Sequence, residues 1–208
     1  FEWQLGEPDF TIDTPQQEIP AVGILDYMYL ELELPFDEDK WVRAFQFEPG
    51  EERVIHNLSA FVVAPESDFW GEERQARTSE RRFLGSFIPG ENPATVFPED
   101  SGVLIPAGHK LALQFHYYSH GRVLRDSTTI GLYFHDAAPS REIVTRPVST
   151  EFTLSANDPD QTMLASYEFT EKVTLLAVRP RLNQRGKAMQ FDLIPSDGDP
   201  QTLISFPA

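Results

Sequence analysis

The 208-residue sequence contains no cysteine, few basic residues and no long hydrophobic run. The lack of cysteine excludes disulfides, thiolate nucleophiles, zinc–thiolate sites and iron–sulfur clusters. Seventeen Lys and Arg residues stand against 33 Asp and Glu residues, which gives a formal net charge of −16. This excess argues against a nucleic-acid partner, because binding to phosphate depends on clustered Lys and Arg. Since no stretch approaches the roughly 20 apolar residues that span a bilayer, we expect membrane association only through partners.

The chain has enough apolar side chains to build a core. Hydrophobic residues make up 40% of the sequence and aromatic residues 12%, so global disorder is not expected. The sequence starts at Phe1 rather than at methionine and shows no apolar leader. We interpret it as a piece of a longer or processed polypeptide, whose missing leader says nothing about location.

Short runs of alternating apolar and polar residues, bounded by turn residues, dominate the chain. In residues 27–34, Leu30, Leu32 and Leu34 fall on one side and glutamates on the other. Further runs occupy residues 41–47, 53–63, 111–118, 129–135, 163–169, 172–178, 187–194 and 202–206. The last two flank PSDGDP (195–200), whose Asp-Gly predicts a hairpin. No window keeps a helical apolar period for three turns. The pattern predicts an all-β fold, an antiparallel jelly roll or β-sandwich.

Two segments interrupt this rhythm of strands and turns. Residues 66–82 are long and charged, which predicts a surface loop whose Phe69 and Trp70 could dock on a partner. Residues 135–150 contain two prolines and follow a completed strand, which favours a seam between domains. We therefore predict an N-terminal jelly-roll domain at residues 1–138 and a shortened C-terminal β domain at residues 139–208.

The stretch LQFHYYSHG, residues 113–121, carries two histidines in different settings. Alternation places His116 near the end of a strand, on the face away from the densest apolar row. His120 follows beside Gly121, in a segment that is typical of a turn. His109 and His135 stand at predicted strand edges and are most simply surface residues.

Several short motifs occur in a fixed order along nearly the whole chain. They are WQLGEPDF (3–10), the segment 34–62 that contains VIHN, FIPGENP (87–93), the segment 102–117 that contains QFHY, DSTTIGLYF (126–134) and LLAVRPRLNQRGKAM (175–189). Their order resembles the copper type II, ascorbate-dependent monooxygenases, which include peptidylglycine α-hydroxylating and dopamine β-monooxygenases and bacterial relatives. The resemblance implies two consecutive antiparallel jelly-roll domains with one copper each. The first copper of that family stores an electron, and the second activates oxygen.

The resemblance also implies that the metal ligands of this chain are largely lost. His116, in QFHY, matches one ligand of the first copper, and the His-His doublet of that site becomes His56 followed by Asn57. The second site has Arg181 and Asn183 in place of its His-x-His pair, and a guanidinium there repels a cation. The chain also stops before the region expected to carry the family's methionine ligand. We therefore expect a degenerate active site without catalytic residues.

These observations leave three functions open. The first is a structural or interaction module, a subunit or domain of a larger exported assembly, periplasmic or extracellular, with protein partners and no cofactor. The second keeps one weak copper at His56 and His116 for electron transfer or oxidation, with a water or the Asn57 carbonyl, or with His120 from the turn, as a further ligand. The third is a carbohydrate-binding β-sandwich, which rests on fold analogy alone.

Overall fold

A computed structural model describes residues 2–74, 82–150, 152–156, 158, 160–180, 182 and 186–207. The chain divides into two compact units, Phe1–Pro147 and Val148–Ala208. Strands of the first unit are β1 Phe10–Asp13, β2 Gln17–Ile19, β3 Met28–Glu33, β4 Lys40–Glu48, β5 Ile55–Val63, β6 Arg82–Phe87, β7 Ala94–Val96, β8 Ser101–Ile105, β9 Lys110–Tyr117, β10 Leu124–Asp126, β11 Thr129–Phe134 and β12 Arg141–Glu142. A 3-10 turn, Glu52–Val54, precedes β5, and helix α1 spans Phe69–Arg74.

Two main sheets form the first unit. One has the order β1-β11-β4-β8-β12, with β7 also paired to β4, and the other has the order β3-β9-β5-β6. A separate pair joins β10 to β2. Every pairing is antiparallel except that of β12 with β8. The predicted all-β, antiparallel fold class is confirmed.

The core of the first unit lies between the two sheets. Phe45 and Leu132 come from one sheet and Leu58 and Phe115 from the other, and all four belong to one buried cluster. The sheets approach closely at Gly85, where an added Cβ would lie 2.0 Å from the ring of Phe45. Burying apolar faces of two sheets against each other stabilises a β-sandwich.

The predicted alternation of β9 is visible in its packing. Leu111, Leu113, Phe115 and Tyr117 all enter the main core. Ala112, on the opposite face, belongs instead to a second, smaller cluster. Both faces of β9 therefore carry buried residues, and its last residues hold the candidate site.

The prediction of a surface loop at residues 66–82 is wrong for its first part. Helix α1 forms there, and its first residue, Phe69, is fully buried. The ring of Phe69 lies 5.3 Å from that of Phe61 and 5.8 Å from that of Tyr29, so this side chain packs on its own sheet rather than on a partner. Trp70 is half-exposed, and residues 75–81 lie outside the described residues.

The division between the units falls after Pro147, inside the predicted seam at residues 135–150 and beyond the predicted boundary at residue 138. The reason is β12, which pairs with Ser101 and Gly102 of β8 and so belongs to the first unit. Isolated two-residue pairings of this kind leave no periodic signal in a sequence.

The second unit carries one hairpin, formed by β13 Met189–Leu193 and β14 Gln201–Phe206. This confirms the hairpin expected around the turn segment 195–200. Residues 163–169 and 172–178 form no strand, contrary to their alternation, because no described segment pairs with them. No described residue of this unit is buried. In the described part of the chain, no helix has the length and apolar character needed to cross a membrane.

Candidate metal centre

The candidate site lies where β5 begins and β9 ends. Asn57 of β5 is the cross-strand partner of His116 of β9, so the two side chains share one face of the sheet. The pairing register shifts between Ile55 and Asn57, which leaves His56 as an extra residue in β5. Such a bulge redirects a side chain that regular alternation would send to the opposite face. His56 and Asn57 can therefore face His116 together although they are consecutive.

The two histidines meet through their Nδ1 atoms. These atoms lie 2.9 Å apart, and the ring centroids are 4.7 Å apart with the planes nearly perpendicular, at 83°. The proximity predicted for His56 and His116 from their motifs, sixty residues apart in sequence, is confirmed. Both side chains are partly buried.

The amide of Asn57 completes a group of three polar side chains. Its Nδ2 lies 3.2 Å from Nδ1 of His56. Its Oδ1 is buried and has no hydrogen-bond partner among the described residues. A buried carbonyl oxygen without a partner loses roughly 1–3 kcal/mol of solvation, so this atom calls for an explanation.

Two tyrosines flank the histidine pair. The ring of Tyr27 lies 4.6 Å from that of His116, and the ring of Tyr118 lies 4.6 Å from that of His56. Both tyrosines are partly exposed, at 41% and 49%. They cover the imidazole faces without sealing the site from solvent.

An open depression of about 490 Å³ adjoins His56. Its lining includes Tyr118, Ile88, Pro89 and Arg53. Solutes can therefore approach the His56 side of the pair directly from solvent.

The protonation of His116 favours ligand chemistry. Burial lowers the pKa of His116, and the nearby charge of His56 lowers it further. A depressed pKa keeps the imidazole neutral near pH 7, and the neutral ring is the form that binds a metal ion.

A buried carboxylate holds the strand behind the site. Asp126 accepts hydrogen bonds from the hydroxyl of Tyr117 at 2.9 Å, from the hydroxyl of Thr128 at 3.0 Å and from the backbone N–H of Glu51 at 2.9 Å. Burial, and then the charge of Asp126, raise the pKa of Tyr117 far above its usual range, so the phenol stays protonated. Because Tyr117 is adjacent to His116, this network fixes the end of β9.

The other described histidines do not join the pair. His120 is exposed in its turn, and the described residues contain no group of three or more His, Asp or Glu side chains that could hold a metal ion. His109 is on the surface, whereas Nε2 of His135 lies 2.9 Å from the carbonyl oxygen of Ser101. Arg181 and Asn183 lie outside the described residues.

The arrangement of the pair is compatible with two chemical states. Without a metal, one Nδ1–H can donate a hydrogen bond to the other Nδ1 across 2.9 Å. The same separation fits two imidazoles on one ion, because metal–nitrogen bonds of about 2.0–2.1 Å would then meet at about 90°. Two imidazoles and an amide suit one ion held with open coordination positions.

Comparison of the chain with models of known protein families and with curated proteins finds no match. The fold and the site define an antiparallel β-sandwich with a two-histidine centre, and the copper-monooxygenase resemblance continues to rest on the sequence motifs alone.

Proposed function

We propose that this chain is a catalytically degenerate relative of the copper monooxygenases that serves as an interaction module in a larger exported assembly. The observation that carries this proposal is the second unit, in which no described residue is buried. A unit that keeps large apolar side chains in solvent presents a surface for association.

The exposed apolar residues of the second unit are large and numerous. Leu164 is 85% exposed, Ile194 73% and Phe152 57%. Val173, Leu176, Phe169 and Tyr167 are also exposed. Isolated apolar residues are ordinary on a protein surface, but a whole unit without a buried residue has no core of its own among its described residues. Burial of these side chains against a protein partner would supply the missing stabilisation.

The sequence supports the loss of oxygenase chemistry. Arg181 and Asn183 stand where the resemblance expects two histidines, and Arg185 and Lys187 add positive charge nearby. Activation of dioxygen by copper needs neutral imidazoles around an open position, and fixed cations oppose the binding of a metal ion there.

The degenerate-site part of this proposal is tested by a turnover assay. The purified chain is loaded with copper, supplied with ascorbate and oxygen, and incubated with a peptide or phenethylamine substrate. We expect no hydroxylated product above that formed by free copper at the same concentration. Two coppers per chain with enzyme-dependent product would show that the site is active.

A second function is favoured by the 2.9 Å contact between the histidines. We propose that His56 and His116 hold one metal ion, copper in the simplest case, with an affinity below that of a three-histidine site. Bound copper would supply one-electron redox chemistry. The paired strands β5 and β9 hold the ring nitrogens of the two histidines in place. Tyr27 and Tyr118 shield the imidazole faces.

This second function is tested by metal titration of the complete chain. We expect one equivalent of metal to bind, and His56→Gln or His116→Gln to weaken binding at least about tenfold, since each removes one of two imidazole ligands. His109→Gln is the matched control, because His109 is a partly exposed histidine outside the pair. Equal affinity in all three variants would rule out the site.

A further inference from the structure

We propose that the side-chain oxygen of Asn57 is the third ligand of this metal site, so that its N,N,O donor set selects divalent cations over Cu(I). This inference rests on the metal site proposed above. It differs from that proposal by assigning a role to a residue other than histidine and by naming the oxidation state that the site accepts.

The first support is a conflict of hydrogen-bonding roles at Nδ1 of His56. This atom has two polar neighbours, Nδ1 of His116 at 2.9 Å and Nδ2 of Asn57 at 3.2 Å. In a neutral imidazole a ring nitrogen offers either one N–H or one lone pair. If it donates to His116, the amide NH₂ of Asn57 faces another donor; if it accepts, two donors share one lone pair. In this orientation of the amide, hydrogen bonding alone leaves Nδ1 of His56 poorly satisfied.

The second support is the orphan oxygen of the same side chain. Oδ1 of Asn57 is buried and has no hydrogen-bond partner among the described residues. The oxygen and nitrogen of an amide are nearly equal in size, so a half-turn of the amide exchanges them without changing the space that it fills. Oδ1 would then stand where Nδ2 now lies, beside Nδ1 of His56. Nδ1 of His116 and Oδ1 of Asn57 would then both lie close to Nδ1 of His56, and a cation can bind all three atoms.

The third support is the backbone that holds these groups. Asn57 and His116 are cross-strand partners, and the register shift at His56 adds the second imidazole to the same face. All three ligands thus stand on two hydrogen-bonded central strands rather than on loops. Ligands placed by a sheet need little reorganisation when an ion binds.

The donor set decides which ion is preferred. An amide oxygen is a hard ligand, whereas Cu(I) favours soft sulfur ligands. Zn²⁺ and Cu²⁺ accept mixed imidazole and oxygen ligands. Replacing an imidazole by an amide oxygen therefore weakens binding of Cu(I) more than binding of a divalent ion. The site would therefore bind Zn²⁺ or Cu²⁺ more tightly than Cu(I).

The test compares the metal affinities of the wild type, Asn57→Leu and Asn57→Asp, each purified as the complete chain. Asn57→Leu removes the oxygen at nearly constant volume, and Asn57→Asp keeps an oxygen at this position and adds negative charge. Zn²⁺ and Cu²⁺ are titrated calorimetrically, and Cu(I) is titrated against a chromogenic competitor under anaerobic conditions. Thermal unfolding of each metal-free variant confirms that it folds.

We expect Asn57→Leu to lower the affinities for Zn²⁺ and Cu²⁺ at least about tenfold and Asn57→Asp to raise them by a similar factor, as gain or loss of a ligand requires. Cu(I) affinity should change less than about threefold in Asn57→Leu. The electron paramagnetic resonance spectrum of the Cu²⁺ form should keep two nitrogen couplings in the wild type and in Asn57→Leu, and one in His56→Gln.

Two different results would contradict this inference, and they distinguish a failure of the role of Asn57 from a failure of the metal site. Unchanged divalent affinity in both position-57 variants, with binding weakened in His56→Gln and His116→Gln, would overturn the role of Asn57 and leave the two-histidine site intact. Wild-type affinity in the histidine variants would overturn the metal site itself, and this inference with it.

Discussion

Single residues decide the chemistry that this chain can carry out. His56 and His116 supply two imidazoles 2.9 Å apart, and Asn57 stands beside them with an unpartnered oxygen. His116 is also the histidine whose pKa is lowered, first by burial and then by the charge of His56. The same burial that makes His116 a neutral ligand makes its protonation unfavourable in the folded protein.

This burial gives the metal-free protein a predictable sensitivity to acid. Because the pKa of His116 lies below the usual histidine value of 6.5, the unfolded chain binds more protons than the folded chain as the pH falls through this range. The stabilisation is fully present above about pH 6.5 and is lost as the pH falls through the pKa of the folded state. We expect the free energy of unfolding, measured with urea in the presence of a chelator, to fall between pH 7 and pH 5.

His116→Gln should flatten this pH dependence, because glutamine does not titrate. A slope that is identical in His116→Gln and the wild type would contradict the assigned burial effect.

Strands and turns could be predicted where a short stretch of sequence carries the pattern that forms them. Alternation over residues 129–135 predicts β11, and the turn residues between 195 and 200 predict the hairpin of β13 and β14. The same alternation fails at residues 163–178, since a strand also needs a neighbour to pair with. The meeting of His56 and His116 followed from two motifs, whereas the position of Tyr27 beside His116 depends on strand order, which no local pattern encodes.

Helix α1 contains a core residue although the sequence around it is charged. Phe69 begins a six-residue helix and is fully buried against Phe61 and Tyr29. Its ring also belongs with Val63 to the cluster on the second face of β9 and its neighbours. Because charged residues follow Phe69 in the sequence, the composition of the segment predicts a surface loop rather than a buried side chain.

We expect Phe69→Ala to destabilise the first unit by about 3–5 kcal/mol, the usual loss for truncating a buried phenylalanine. Urea unfolding followed by circular dichroism measures this change. Trp70→Ala is the matched control, because Trp70 is the next residue and is half-exposed, and its loss should be less than half as large. Equal losses in the two variants would show that Phe69 is not the anchor of this segment.

The whole molecule combines a well-packed first unit with an open second one. The first unit buries a continuous core between two sheets, while the second keeps Leu164, Phe152 and Ile194 largely in solvent. The formal charge of −16 would oppose binding to nucleic acid and to anionic membrane surfaces. Exposed apolar side chains on an acidic protein are best matched by another protein surface, which is why we propose association for the second unit.

Site-specific photo-crosslinking is the most direct test of whether the second unit associates with another protein. A photoreactive amino acid is placed at Leu164 of the second unit, 85% exposed, or at Val123 of the first unit, 55% exposed, in the cell that produces the protein. Both positions are exposed and apolar, so non-specific labelling should be similar. We expect one dominant protein adduct at Leu164 that is absent at Val123 and that disappears when Leu176, another exposed apolar residue of the second unit, is changed to Gln. No adduct at Leu164, or the same adducts at both positions, would contradict it.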